Sequence, residues 1–296
     1  MNGQNRETDA PERSGASAAP APARGVFPTP GDVVLMLCIV FGAQLAVGLL
    51  TGAVLLAVFG PGFDYGADPA LTGRISAVSY ALSMSLAVAA LWSFRRARGG
   101  VRPAIGLARR GFDGRLLLWG FVLILGLDTV LEPLVAWLPG PSLDRIGRGW
   151  GTLFALVVFA PLFEETICRG MVLGSLRAKY GVVAAWFFSS LFFGVLHLYP
   201  AQAIVAAVIG MVLGYVYIVS GSLWAPIILH AANNLCAYLL LAAGQGDRTL
   251  RQTVGDDGWY AAIYAAAAAL VLVSGWMVRR RLRRLAAGAE NRPAAY

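Results

Sequence analysis

Two adjacent glutamates, Glu164 and Glu165, stand with Arg169 in "FEETICRG", directly behind the apolar run "LFALVVFAPL". The chain has two histidines, and both lie in equally apolar surroundings. His197 falls in "LFFGVLHLYP"; His230 falls in "APIILHAANN", which also holds Asn233 and Asn234. A charge in mid-bilayer costs roughly 2.5–3.5 kcal/mol, so such groups are retained for a purpose. Arg169 follows Glu165 by four residues, the order and spacing of an ion pair on one helix face. Glu164 is turned away by roughly 100° and is expected neither to have a local partner nor to share a cavity with Glu165. A lone carboxylate in an apolar site suits a proton acceptor working near neutrality. A glutamate can take a proton from water, a histidine can orient that water, and an amide with an imidazole can donate to an oxyanion. Together they suit amide hydrolysis without a covalent nucleophile. A purely structural use of the glutamates, holding helices together, is the simpler reading. Zinc is a further alternative, since histidine and glutamate also ligate it. Neither H-E-x-x-H nor the carboxylates that would back zinc-bound histidines are evident, so no metal and no other cofactor is expected.

These residues must be positioned by membrane helices. The 296 residues are 58% hydrophobic and 14% charged, far below the charge of a soluble domain. Continuous apolar runs predict eight spans, at residues 33–59, 75–94, 116–138, 151–178, 182–198, 203–219, 223–243 and 259–278. The runs do not alternate with period two, so helices are predicted and a barrel is not. The fold class is therefore all-α, a polytopic membrane helix bundle. Residues 1–30, rich in Ala, Pro and polar groups, read as a disordered cytosolic tail without a signal peptide. Residues 31–285 form the membrane domain, and 286–296 a C-terminal tail. The three cysteines lie in apolar segments and make no disulfide framework.

Arginine placement orients the bundle. Residues 95–115 hold seven arginines and residues 279–284 hold five, which puts both ends and both termini in the cytosol. The net charge of +8 lies beside spans and not along a groove, which favours the bilayer as partner over nucleic acid. Counting from the turns near residues 178–181 and 221, helix rise places Glu164 roughly 21 Å, His197 roughly 24 Å, His230 roughly 13 Å and Asn234 roughly 20 Å deep. One polar pocket inside the membrane follows.

In chain order, "EETICR" fits E-E-x-x-x-R, "FGVLH" fits F-x-x-x-H and "HAANN" fits H-x-x-x-N. Three motifs in order, using both histidines, resemble the CAAX prenyl protease and bacteriocin-processing family of intramembrane proteases. The resemblance covers roughly residues 152–243, within a protease core at about 151–243. It implies an eight-helix fold with a cavity open to the cytosol and a glutamate-activated water, without metal. Carried over, Glu164 is the general base and His197 its partner in positioning water. His230 and Asn234 form the oxyanion site, and Glu165 with Arg169 is orienting or structural. The implied partner is a membrane-tethered peptide or protein. The Ala-, Arg- and Gly-rich composition suggests a bacterial plasma membrane, where prenylated substrates are not expected. Asp128 and Glu132 lie four apart on the third span; Glu132 is read as reaching the outer interface and Asp128 as a cap on a neighbour. A proton or ion path through them would instead make a transporter, and a non-catalytic scaffold is the third class.

Overall fold

The computed structural model describes residues 27–100, 113–140, 147–246 and 248–290. The N-terminal tail before residue 27, most of the arginine-rich loop (101–112) and the last six residues lie outside the described residues. Among those described, every regular element is helical. The long helices are α1 (Pro30–Phe59), α2 (Pro69–Ala97), α3 (Gly114–Val135), α4 (Trp150–Tyr180), α5 (Val182–Val195), α6 (Pro200–Ser220), α7 (Trp224–Ala242) and, after the one-turn helix α8 (Leu250–Val254), α9 (Asp257–Glu290). Seven of these are long and apolar enough to cross a membrane, and α5 is a shorter apolar helix. The chain is thus a multi-pass membrane helix bundle. The fifth predicted span ends early, at Val195 and not at 198, because the chain turns there to enter α6 at Pro200. Proline is suited to the first helical turn, where its missing N–H costs nothing.

The ends follow local chemistry. Thr29 and Asp32 form a capping box at α1, Asp68 caps α2 and Asp113 caps α3. Gly181, at φ 84°, breaks α4 from α5, a backbone conformation that side chains resist.

Two apolar cores hold the bundle. One joins α1, α2, α4 and α5 through Met36, Val40, Met84, Leu91, Ile167, Met171 and Phe192. The other joins α3, α6, α7 and α9 through Leu116, Ile124, Leu213, Val216, Leu229 and Val278. Large apolar residues such as Leu45, Leu49, Val58, Val183 and Leu272 face outward instead, as lipid-facing positions do. α4 runs between the cores and carries two π-helical stretches, Ala155–Phe159 and Thr166–Leu173, on either side of the glutamates. Such widened turns gather at functional sites.

Candidate active site

Glu165 is fully buried, and so is Arg169. The arginine's Nη1 donates to Glu165 Oε1 at 2.9 Å, so the i, i+4 pair is present. Its Nη2 donates to the Gly210 carbonyl of α6 at 2.8 Å, and its guanidinium carbon lies 4.6 Å from the centre of the Phe193 ring. Removing such a pair from water is costly unless its hydrogen bonds are made, and here the fork is spread over a carboxylate, a carbonyl and a ring face. Gly210 makes this possible: a Cβ there would stand 3.4 Å from Nη2 and 3.1 Å from Phe193.

The reading of Glu164 as a lone carboxylate needs correction, although no partner is local in sequence. Glu164 does have a partner: Tyr80 of α2 donates its hydroxyl to Glu164 Oε1 at 2.7 Å. It also shares a neighbour with Glu165. His230 Nδ1 stands 3.1 Å from Glu165 Oε1, while Nε2 stands 3.9 Å from Glu164 Oε2. The two carboxylates diverge along the helix, but an imidazole presents nitrogens on two sides and spans them. A carboxylate accepts, so Nδ1 carries the proton of the first contact. Oε2 of Glu164 and Oε2 of Glu165 have no hydrogen-bond partner among the described residues.

His197 sits beyond the end of α5, in the turn before α6, and is half-buried. Its Nδ1 lies 3.0 Å from the Phe193 carbonyl, which can only accept. Nδ1 is therefore protonated, and Nε2 is left to act. Among the described residues no hydrogen bond joins His197 directly to the glutamates; the link is Phe193. That ring meets His197 edge-on at 5.1 Å and His230 edge-on at 5.4 Å between centroids. Asn234 is not on the glutamates either. Its Nδ2 donates to the Leu156 carbonyl at 2.8 Å, tying α7 to the first π stretch of α4. An amide nitrogen has two N–H groups, so one remains.

Tyr80, Phe193 and Gly210 were not assigned roles from the sequence. Phe193 was within reach as the first residue of F-x-x-x-H. Tyr80 lies 84 positions from Glu164, and no spacing announces it. Asp128 lies beside Asn233, the neighbour of Asn234, and Glu132 accepts the Leu250 N–H at 2.8 Å. Both acids of α3 thus meet neighbouring elements. Zinc finds a poor fit. Among the described residues no group of three or more His, Cys, Asp or Glu is placed to hold a metal ion. His230 Nδ1 is committed to Glu165, and Cys168 is enclosed in the apolar core.

Residues 147–236 match the family model described as Type II CAAX prenyl endopeptidase Rce1-like. No curated protein and no solved structure matches the chain. The matched segment contains Glu164, Glu165, Arg169, His197, His230 and Asn234; Tyr80 and Asp128 lie outside it. The part of the chain that carries the site, residues 147–236, is thus similar to the Rce1-like family of type II CAAX prenyl endopeptidases, and the match supports the CAAX protease family.

Proposed function

We propose that this protein is an intramembrane endopeptidase that hydrolyses a peptide bond of a membrane-associated protein with a water activated by Glu164. The observation that carries the reading is the histidine of one helix set between two adjacent glutamates of another, inside the family-matched segment. A gap of 3.9 Å between Glu164 Oε2 and His230 Nε2 suits a bridging water with hydrogen bonds of about 2.8 Å to each. Glu164 takes the proton of that water as the oxygen attacks the carbonyl carbon, and later gives it to the leaving amine. The lone pair on His197 Nε2 helps to position the water. His230, its Nδ1–H given to Glu165, holds that water through Nε2 in place of the oxyanion role read from the sequence, and the second N–H of Asn234 donates to the developing oxyanion. Glu165 and Arg169 hold His230 in place, and Tyr80 holds Glu164. The reaction uses no metal. Elemental analysis of active protein is expected to give well under one zinc per chain, with activity kept after chelation. One zinc per chain, lost together with activity, would reverse this assignment.

The test is hydrolysis of internally quenched peptides by purified protein in liposomes. One peptide carries a C-terminal prenylated CAAX sequence, and the other is the same sequence on a transmembrane anchor. Cleavage of either that disappears in Glu164→Gln supports the peptidase. No cleavage of both, or cleavage that Glu164→Gln retains, overturns it.

A further inference from the structure

A second polar feature lies where α3 and α9 leave the apolar layer. Asp113 Oδ1 accepts the N–H groups of Arg115 and Leu116 at 2.8 and 3.4 Å, while Oδ2 accepts from Nε and Nη2 of Arg281 on α9. This junction closes the two helices around a cavity of about 190 Å³ lined by Arg115, Trp119, Met277, Arg280, Arg281 and Arg284. Its charge is not balanced by the chain. Between Arg95 and Leu127 the one acid is Asp113, and between Gly258 and Ala289 there is none. Arg115 and Arg284 have no ion-pair partner among the described residues. Depth is set by the neighbours. The apolar run of α9 ends at Val278, just before its arginines, α3 begins at Gly114, and the exposed ring of Trp276 lies 5.1 Å from the Arg280 guanidinium. A tryptophan so placed belongs to the interface belt.

We propose that this cavity binds the phosphate of an anionic lipid headgroup. The arginine forks match phosphate oxygens in pairs, and basic pockets between membrane helices at this level take such headgroups. Arg281 is held in position by Asp113, Arg115 and Arg284 supply the unpaired donors, and Trp119 with Met277 meets the glycerol and first methylenes. Free inorganic phosphate would use the same arginines and gain nothing from that apolar floor.

The experiment counts lipid bound to the detergent-purified full chain by native mass spectrometry. Phosphatidylglycerol is titrated against phosphatidylcholine of the same acyl chains, with and without inorganic phosphate at matched ionic strength. Retention of one phosphatidylglycerol in preference to phosphatidylcholine is expected, with inorganic phosphate a weak competitor. R115Q/R284Q should weaken it about 10- to 30-fold, on the scale of two interfacial arginines. The control R96Q/R279Q removes the same charge from the same ends of α2 and α9 but outside the cavity, and should leave it within about 3-fold. R115K/R284K, which keeps charge and loses the fork, should fall between. Equal losses in the two glutamine pairs, no preference between the lipids, or full displacement by inorganic phosphate would each overturn the assignment.

Discussion

A carboxylate that takes a proton from water works best with one oxygen held and the other open. Glu164 has that arrangement: Oε1 is fixed by Tyr80 at 2.7 Å, and Oε2 faces His230 across 3.9 Å. Glu164→Gln keeps the shape and the Tyr80 contact but cannot accept the proton. Turnover should fall roughly 10²-fold or more, with the unfolding temperature little changed. Glu165→Gln should do the opposite. Its Oε1 receives both Arg169 and His230, so the change leaves a fully buried guanidinium unpaired, at a cost of about 3–5 kcal/mol. The expected readout is a large drop in unfolding temperature and in yield, ahead of any kinetic effect. Tyr80→Phe removes one hydrogen bond to a charged group and no packing. Turnover should fall about 10-fold if that bond is kept through the transition state. Near-full turnover in Glu164→Gln beside a folded, inactive Glu165→Gln would exchange the two roles.

At the scale of elements, the site depends on how closely backbones approach. Gly194 sits at the α5–α6 hairpin, where an added Cβ would stand 2.7 Å from the Ala203 carbonyl and 2.8 Å from Ala207 Cβ. Backbone cannot yield there cheaply, so Gly194→Ala should destabilise by about 1–3 kcal/mol. It should also displace the neighbouring Phe193, and with it both imidazoles. Gly48, on α1, meets nothing within 4 Å, and Gly48→Ala should be neutral or slightly stabilising by helix propensity. Thermal unfolding in detergent compares the two; equal effects would mean the hairpin has slack. The same contrast explains what the sequence could tell. Spans were legible because lipid forces every backbone group into a helix, and the apolar runs mark where. The Glu165–Arg169 pair was legible because it follows a helical spacing. Tyr80 on Glu164, Asn234 on Leu156 and Arg169 on Gly210 were not, because each depends on crossing geometry between helices. His230 between both glutamates was missed for a related reason: helical angles were weighed without asking what a two-nitrogen ring can span.

The whole molecule's orientation is a separate physical question, since the bundle's packing is the same either way up. Charge decides it. Arginines crowd residues 95–115 and 279–284, while the α1–α2 connection carries Asp64 and Asp68 before Arg74. An even number of spans, seven long helices with the shorter α5, brings the arginine-rich end of α9 back to the side of the α2–α3 loop. The Asp113–Arg281 contact agrees, because it requires the start of α3 and the end of α9 to meet at one face. That contact has its own pH signature. Burial would raise the Asp113 pKa, but the hydrogen bonds from Arg281, Arg115 and Leu116 outweigh it and hold the carboxyl below its usual value. The pairing therefore contributes stability above the ordinary aspartate range, about pH 4, and loses it as pH falls through the depressed value. Asp113→Asn should lower the unfolding temperature at pH 7 and make progressively less difference below about pH 4. For orientation, single cysteines at Gly114 and Arg283, in a background with Cys38, Cys168 and Cys236 replaced by alanine, should react with an impermeant maleimide only from the cytosolic side. A cysteine at Ala67, in the α1–α2 connection, should react only from outside. Labelling of Gly114 and Arg283 from opposite sides would separate the ends that Asp113 and Arg281 join, and with them the even count of spans.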